Sequence, residues 1–251
     1  MILWREKWRA FAIHFAVTLL LAIGAAAIIF GLWYPDPFDT LVGGAELFVL
    51  VVACDLVLGP LLSLVIYDSR KGRGKLIFDY SVVGVIQMAA LLYGVWIVAA
   101  ARPVYIAFVG DRLEVVSAQD IRPAELAAAR DPAHRSLPLT GPKLVAIVVP
   151  PAERNDALFQ ALEGNEEQAR PKFYVPYESQ LATIRKHALP LEDLAQRHPE
   201  GRAPLAAARA RAGRPDAQLR WLPVRYREVF WTVLVDADSG KPLEYFALDP
   251  Y

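Results

Sequence analysis

Three apolar segments dominate the first 101 residues of this 251-residue chain. Residues 10–34 contain no charged side chain, residues 47–67 contain one, and residues 80–101 contain none. A helix rises 1.5 Å per residue, so the first segment spans roughly 37 Å, enough to cross a hydrocarbon core of about 30 Å with some tilt. The pattern predicts a transmembrane domain of three helices over residues 1–101.

The first segment also has features of a secretory signal peptide. Arg5, Lys7 and Arg9 precede it, and alanines at residues 25–27 provide the small side chains of a cleavage site. The apolar run continues beyond them to Trp33, which is longer than a signal peptide needs. A retained span is therefore the favoured interpretation.

Basic residues predict the orientation of these spans, because Lys and Arg beside short loops stay on the cytoplasmic side. They are Arg5, Lys7 and Arg9 before the first segment, and Arg70, Lys71, Arg73 and Lys75 between the second and third. Residues 35–46 hold no basic side chain and three acidic ones. We expect the amino terminus in the cytoplasm and residues 102–251 in the periplasm.

Asp55 lies eight residues inside the second segment, about 12 Å deep, where a carboxylate costs a few kcal/mol unless it is protonated, paired or hydrated. One interpretation is a hydrogen bond to Gln87 or His14 that holds the spans together. The other is a contact with a partner helix, because Pro60, following Gly59, removes a backbone donor and opens the helix. Asp55, Gly59 and Pro60 are thus the candidate intramembrane contact. A proton or ion pathway would need more ionisable groups.

Residues 102–251 carry 40 of the 54 charged side chains and predict an α+β domain. Strands are expected where apolar and β-branched residues alternate, at residues 104–109, 113–117, 144–149, 229–235 and 243–248. Helices bounded by Pro or Gly are expected at residues 123–130, 153–163, 177–187, 191–197 and 203–212. Residues 130–142, rich in proline and polar side chains, predict a loop.

Composition and motifs restrict the classes of function. The 27 basic and 27 acidic residues balance, which argues against a nucleic-acid-binding face, and the single cysteine excludes an intramolecular disulfide. Asp236 and Asp238 have the spacing of a metal-binding Asp-x-Asp motif, but Asp and Gly between two strands favour a hairpin turn. His134, His187 and His198 are scattered and expected at the surface. We expect no catalytic residue, cofactor or metal.

Several short sequences carry a family resemblance. They are Lys7-Trp-Arg-Ala-Phe-Ala-Ile-His14, Trp33-Tyr-Pro35, Asp55-Leu-Val-Leu-Gly-Pro-Leu-Leu-Ser63, Ala101-Arg-Pro-Val-Tyr105, Asp120-Ile121 and Leu248-Asp-Pro-Tyr251. In this order, with three spans and an α+β domain, the chain resembles the type IV pilin accessory proteins of the TfpX/TfpZ family over nearly its whole length.

The resemblance implies a non-enzymatic helper of type IV pilus biogenesis in the bacterial inner membrane. It implies an effect on the supply of a particular pilin, or on the balance of pilus extension and retraction. The implied partners are the major type IV pilin, the inner-membrane assembly machinery and membrane lipid, with no nucleic acid. Pilins wait in the inner membrane as single apolar helices with periplasmic heads, so both halves of this chain have a part of the pilin to contact.

Two other functions stay open. A pilin-modifying enzyme of glycosyltransferase type, or its subunit, would usually have more than three spans. An envelope sensor would bind a ligand through the periplasmic domain, but the cytoplasmic segments are too short for an output domain.

Overall fold

The computed structural model describes residues 2–68 and 71–251, so Arg70 of the basic cluster lies outside the described residues. The chain divides into two compact units, residues 1–101 and residues 102–251.

The first unit is helical. Its elements are α1 (Ile2–Ile28), continued by a π-helical turn over Ile29–Trp33, then α2 (Phe38–Leu41), α3 (Gly44–Ile66) and α4 (Arg73–Ala101). In the described part of the chain, three helices are long and apolar enough to cross a membrane: Trp4–Trp33, Phe48–Ile66 and Arg73–Ala101. The chain is therefore a membrane protein, and the predicted class of three apolar spans is confirmed.

All three helices begin earlier than the apolar segments do, two of them by seven or eight residues. α1 begins at Ile2 rather than at residue 10, and α4 begins at Arg73 rather than at residue 80. A charge-free window stops near the membrane boundary, whereas the backbone hydrogen bonds of a helix continue into water. Basic residues such as Lys7 and Lys75 therefore lie on helical turns.

Helix α3 packs along both α1 and α4. Its contact with α4 is close because Gly94 has no side chain: a Cβ atom there would lie 2.5 Å from Cγ1 of Val51. On the other side, Nζ of Lys7 donates to the carbonyl of Leu64, 2.9 Å away. A cation is favourable at this position because the last carbonyls of α3 carry partial negative charge.

Tyr34 closes the opposite end of the helical unit. Its ring is buried over Gly44, where a Cβ atom would overlap with it. Its hydroxyl donates to the carbonyl of Val98 on α4 at 2.8 Å. The tyrosine of the short Trp33–Pro35 sequence thus ties the loop after α1 to both α3 and α4.

Residues 102–251, all of them described, form one mixed sheet with helices. Its eight strands are β1 (Pro103–Val109), β2 (Arg112–Ser117), β3 (Lys143–Ile147), β4 (Tyr174–Pro176), β5 (Leu189–Pro190), β6 (Leu219–Tyr226), β7 (Val229–Asp236) and β8 (Pro242–Phe246). The order is β4-β3-β1-β2-β6-β7-β8, and β5 pairs with β6. The β1–β3 and β2–β6 pairs are parallel, and the remaining pairs are antiparallel.

The helices of this unit are α5 (Pro123–Ala127), α6 (Arg154–Leu162), α7 (Leu181–His187), α8 (Leu191–Arg197) and α9 (Arg202–Ala212). One buried cluster surrounds Tyr105 of β1 and Val145 of β3. A second packs Leu194 of α8 and Leu205 of α9 against Trp221 of β6. The predicted α+β class is confirmed.

Strand β6 was not predicted, although it lies in the middle of the sheet. Arg220, Pro223 and Arg225 interrupt its apolar pattern. Its buried residues nevertheless include Trp221 and Val224, which a pattern search tolerant of one proline would have found. Residues 130–142 are irregular as expected, apart from a 3₁₀ turn at Pro132–His134.

Candidate functional site

Polar side chains from three helices meet inside the helical unit. Nδ1 of His14 on α1 lies 2.6 Å from Oγ of Ser63 on α3, and its Nε2 lies 2.9 Å from Oε1 of Gln87 on α4. An amide oxygen only accepts, so Nε2 donates, and Nδ1 of an uncharged imidazole accepts from the serine hydroxyl. We call His14, Ser63 and Gln87 the polar clamp, because they join all three spans.

Gly59 makes room for the polar clamp. It is buried, and a Cβ atom on it would overlap with the Gln87 amide and lie 3.1 Å from Nε2 of His14. Pro60 is buried beside it, and α3 continues through Pro60 without ending. Gly59 and Pro60 therefore face the interior of the helical unit. Of the three candidate contact residues, only Asp55 remains accessible to a partner helix.

Asp55 lies about one turn before Gly59 and is half-buried. It lines an open cavity of about 190 Å³ between α1, α3 and α4. The cavity is lined by His14, Val17, Thr18, Leu21, Ala22, Val52, Asp55, Gly84, Gln87, Met88 and Leu91. Among the described residues, the Asp55 carboxylate has no hydrogen bond or ion pair. The expected bond to Gln87 or His14 is not formed, because those two bond to each other and to Ser63.

This arrangement leaves a hydrogen-bond acceptor in an apolar groove at membrane depth. Apolar side chains such as Val17, Val52 and Leu91 form most of the surface around the carboxylate. A carboxylate in such surroundings is costly unless a donor or cation reaches it. The groove thus suits a mostly apolar group that carries one donor.

The Asp-x-Asp segment of the second unit is a hairpin turn between β7 and β8. Oδ1 of Asp236 accepts from the backbone N–H of Ser239 at 2.8 Å and of Asp238 at 3.1 Å, and from the Ser239 hydroxyl at 2.9 Å. The Ser239 N–H and hydroxyl contribute most to lowering the pKa of the Asp236 carboxyl. This carboxylate is thus used to close the turn.

His134, expected at the surface, is half-buried in an aromatic cluster, and His187 and His198 are half-buried as well. The His134 ring packs edge-on against Tyr105 and Tyr174, and its Nδ1 lies 3.2 Å from the Tyr105 hydroxyl. Burial lowers the pKa of the His134 imidazole. Burial, followed by the nearby Asp131 carboxylate, raises the pKa of Tyr105 to about 12. Nothing in the spacing of these residues along the sequence indicates the cluster.

A buried ion network lies across β2 and β6. Glu114 is 3% exposed and accepts from Nε of Arg112 at 2.6 Å and from Nε of Arg225 at 2.8 Å. Arg225 also donates from Nη2 to Glu166 at 3.0 Å. Glu114 and Arg225 are neighbours in the parallel β2–β6 register, which the sequence could not indicate without β6.

The fold and groove define a class of protein: three apolar membrane helices followed by an α+β domain. Among the helices lie a polar clamp and a carboxylate that has no partner within the described residues. A family model described as fimbrial assembly protein FimB matches residues 2–43, the region that contributes α1, Tyr34 and α2.

Relatives from Dichelobacter nodosus extend this match to most of the chain. A fimbrial assembly protein of serogroup E1 is 32% identical over 232 residues, covering 91% of this chain and 90% of that protein. A fimbrial assembly protein of serogroup I is 36% identical over 181 residues, covering 71% of this chain and 70% of that protein. A fimbrial assembly protein of serogroups C1 and C2 is 36% identical over 117 residues, covering 47% of this chain and 89% of that protein. No solved structure gives a significant match.

The chain therefore belongs to the fimbrial assembly protein family and has a role in fimbrial assembly. The resemblance to a pilus accessory protein, deduced from the short sequences, is confirmed.

Proposed function

We propose that this protein is a non-enzymatic accessory factor of type IV pilus biogenesis in the bacterial inner membrane. Its amino terminus lies in the cytoplasm and residues 102–251 lie in the periplasm. The support is the distribution of basic side chains: three precede residue 10 and four lie within residues 70–75, whereas residues 35–46 have none.

The membrane helices contact the apolar helix of the major pilin before that pilin enters the pilus. The observation that carries this proposal is the open groove at Asp55, whose carboxylate has no partner among the described residues. His14 and Gln87 are already occupied by the polar clamp, which leaves the Asp55 carboxylate open to a donor from a partner helix.

The strength of such a contact is modest. Hydrogen bonds between membrane helices contribute about 0.6 kcal/mol on average and about 1.7 kcal/mol at most. Packing against the apolar groove adds van der Waals contact. A weak, reversible contact suits a helper that must release each pilin.

The second unit recognises the pilin head or the inner-membrane assembly machinery. Three large apolar side chains of α6 support this role, because Leu158, Phe159 and Leu162 are 61%, 65% and 78% exposed. Together they lie within one side of a short helix, as an interaction surface does.

The test compares a clean deletion, its complemented strain, and strains producing Asp55→Asn or Asp36→Asn. Sheared surface pilin, total pilin and the intact mass of the pilin are measured in each strain, with the abundance of this protein as a reference. Asp55→Asn keeps the side-chain shape and removes the charge. Asp36→Asn makes the same substitution at an exposed residue outside the spans.

We expect the deletion to lose surface pili while pilin of unchanged mass remains in the membrane. Asp55→Asn should reduce surface pilin at normal protein abundance, and Asp36→Asn should not. Unchanged surface pilin in the deletion would contradict the accessory role and favour a sensor. A pilin of altered mass would favour a modifying enzyme.

A further inference from the structure

A second and larger cavity adjoins the groove at Asp55. It measures about 660 Å³ and is lined by Glu6, Arg9, Ala10, Ile13, His14, Val17, Tyr67, Tyr80 and Gly84. Three of these residues, His14, Val17 and Gly84, also line the smaller cavity. The two cavities thus lie one after the other along α1, and the larger one is nearer the amino-terminal end of that helix.

The larger cavity begins at the level of the membrane surface. Residue 10 is the first residue of the charge-free segment, so Glu6 and Arg9 lie just outside the apolar part of α1. Trp4 and Trp8, which flank them, are 65% and 54% exposed. Exposed tryptophans are typical of the interface between lipid headgroups and acyl chains.

Both signs of charge line this cavity, and two of its lining residues each carry a buried polar atom without a partner among the described residues. Oε2 of Glu6 and the hydroxyl of Tyr80 are buried, and within the described residues neither has a hydrogen bond. Arg9 lines the same cavity. Lys7, between the two charged residues, is turned to α3, where it donates to the carbonyl of Leu64.

The ligand that matches this lining has a cation and an anion in one small headgroup attached to an apolar chain. An ammonium group would donate to the Glu6 carboxylate, and a phosphate would accept from Arg9 and the Tyr80 hydroxyl. Ala10, Ile13 and Val17 continue the lining with apolar surface beyond the headgroup.

We propose that this cavity is a specific site for a zwitterionic aminophospholipid of the bilayer, with its ammonium on Glu6 and its phosphate on Arg9 and Tyr80. The site is independent of the proposed pilin contact at Asp55. The headgroup residues Glu6, Arg9 and Tyr80 do not line the groove at Asp55.

The experiment measures lipid binding to the purified, delipidated full-length protein by native mass spectrometry. The probes are phosphatidylethanolamine and phosphatidylcholine with identical acyl chains. They share the phosphate, but the trimethylated ammonium of phosphatidylcholine has no N–H to donate to Glu6. The variants are Glu6→Gln and Tyr80→Phe, with Glu46→Gln as a matched control at an exposed glutamate beyond the lining.

We expect saturable binding of one phosphatidylethanolamine, with a preference of about tenfold over phosphatidylcholine, as one hydrogen bond to a charged group provides. Glu6→Gln should remove most of the preference for phosphatidylethanolamine. Tyr80→Phe should weaken the binding of both lipids, and Glu46→Gln should change neither the preference nor the affinities.

Two results would overturn the site. One is non-saturable binding without preference, as expected of lipid that merely surrounds the protein. The other is a preference that survives in Glu6→Gln. If Glu6→Gln does not fold, Tyr80→Phe decides, because unchanged affinity for both lipids in that variant would equally contradict the site.

Discussion

Gly59 lies directly beneath the side-chain amide of Gln87, so that a Cβ atom at residue 59 would overlap with it. This relationship explains why α3 has no side chain at the level where the polar clamp crosses between α1 and α4.

Gly59→Ala should destabilise the helical unit by about 1–3 kcal/mol, the usual cost of adding a methyl group to a filled interior. Thermal unfolding in detergent measures the change. Gly24→Ala is the control, since nothing lies within 4 Å of a Cβ atom there. Adding Gln87→Ala should recover part of the loss, and a double variant no more stable than Gly59→Ala would show that the overlap is not the cause.

Ser63→Ala removes the hydroxyl that donates to Nδ1 of His14. We expect a loss of about 1 kcal/mol, within the range measured for hydrogen bonds between membrane helices. A double-mutant cycle with His14→Ala measures the coupling energy between the two residues. Additive effects of the two substitutions would contradict the clamp.

Glu114→Gln should destabilise the second unit by about 2 kcal/mol or more, because Arg112 and Arg225 would lose the charge that both bind. Pulse proteolysis in urea, following cleavage within residues 102–251, measures the change. Arg197→Gln is the control. It breaks a more exposed pair with Asp193, one helical turn away, which should contribute only about 0.5 kcal/mol or less. A Glu114→Gln variant as stable as this control would show that the network contributes little.

The stability of the second unit should fall as the pH drops below about 6.5, the ordinary pKa of histidine. Burial lowers the pKa of His134 in the folded protein, so the unfolded chain binds the proton more readily. The contribution of His134 is therefore complete above about pH 6.5 and is lost as the pH falls towards the lowered pKa of the folded state.

The same proteolysis assay at pH 7.5 and pH 5 measures this effect. Tyr105, whose pKa is raised to about 12, remains a phenol throughout. His134→Asn should reduce the difference between the two pH values, whereas His187→Asn at the end of α7 should leave it unchanged. If His134→Asn had the same pH dependence of stability as the unsubstituted protein, the effect would come from groups other than His134.

The sequence predicts the three spans because an apolar run of about 20 residues with almost no charge is long enough, as a helix, to cross a bilayer. It also locates most strands of the second unit, where apolar residues alternate. It does not reveal β6, in which Pro223 interrupts the pattern, or the parallel β2–β6 pairing that brings Glu114 to Arg225. Such pairings depend on contacts distant in sequence.

The candidate site, too, is only partly predictable from the sequence. Asp55 is conspicuous because it is the one charge within residues 47–67. The sequence indicates His14 and Gln87 as partners of Asp55. It cannot indicate that His14 bonds to Gln87 and Ser63 instead, which leaves Asp55 outside the polar clamp. Nor does it show that Gly59, expected in an open contact, is covered by Gln87.

The most direct test of the central claim, that the groove at Asp55 receives the pilin helix, is photocrosslinking in living cells. A photoreactive residue is placed at Thr18 or Met88, which line the groove, and at Ile86, which is 64% exposed and does not. We predict a crosslink to the major pilin from Thr18 and Met88 that weakens in Asp55→Asn, and none from Ile86. A pilin crosslink from Ile86 with none from the groove would contradict the account.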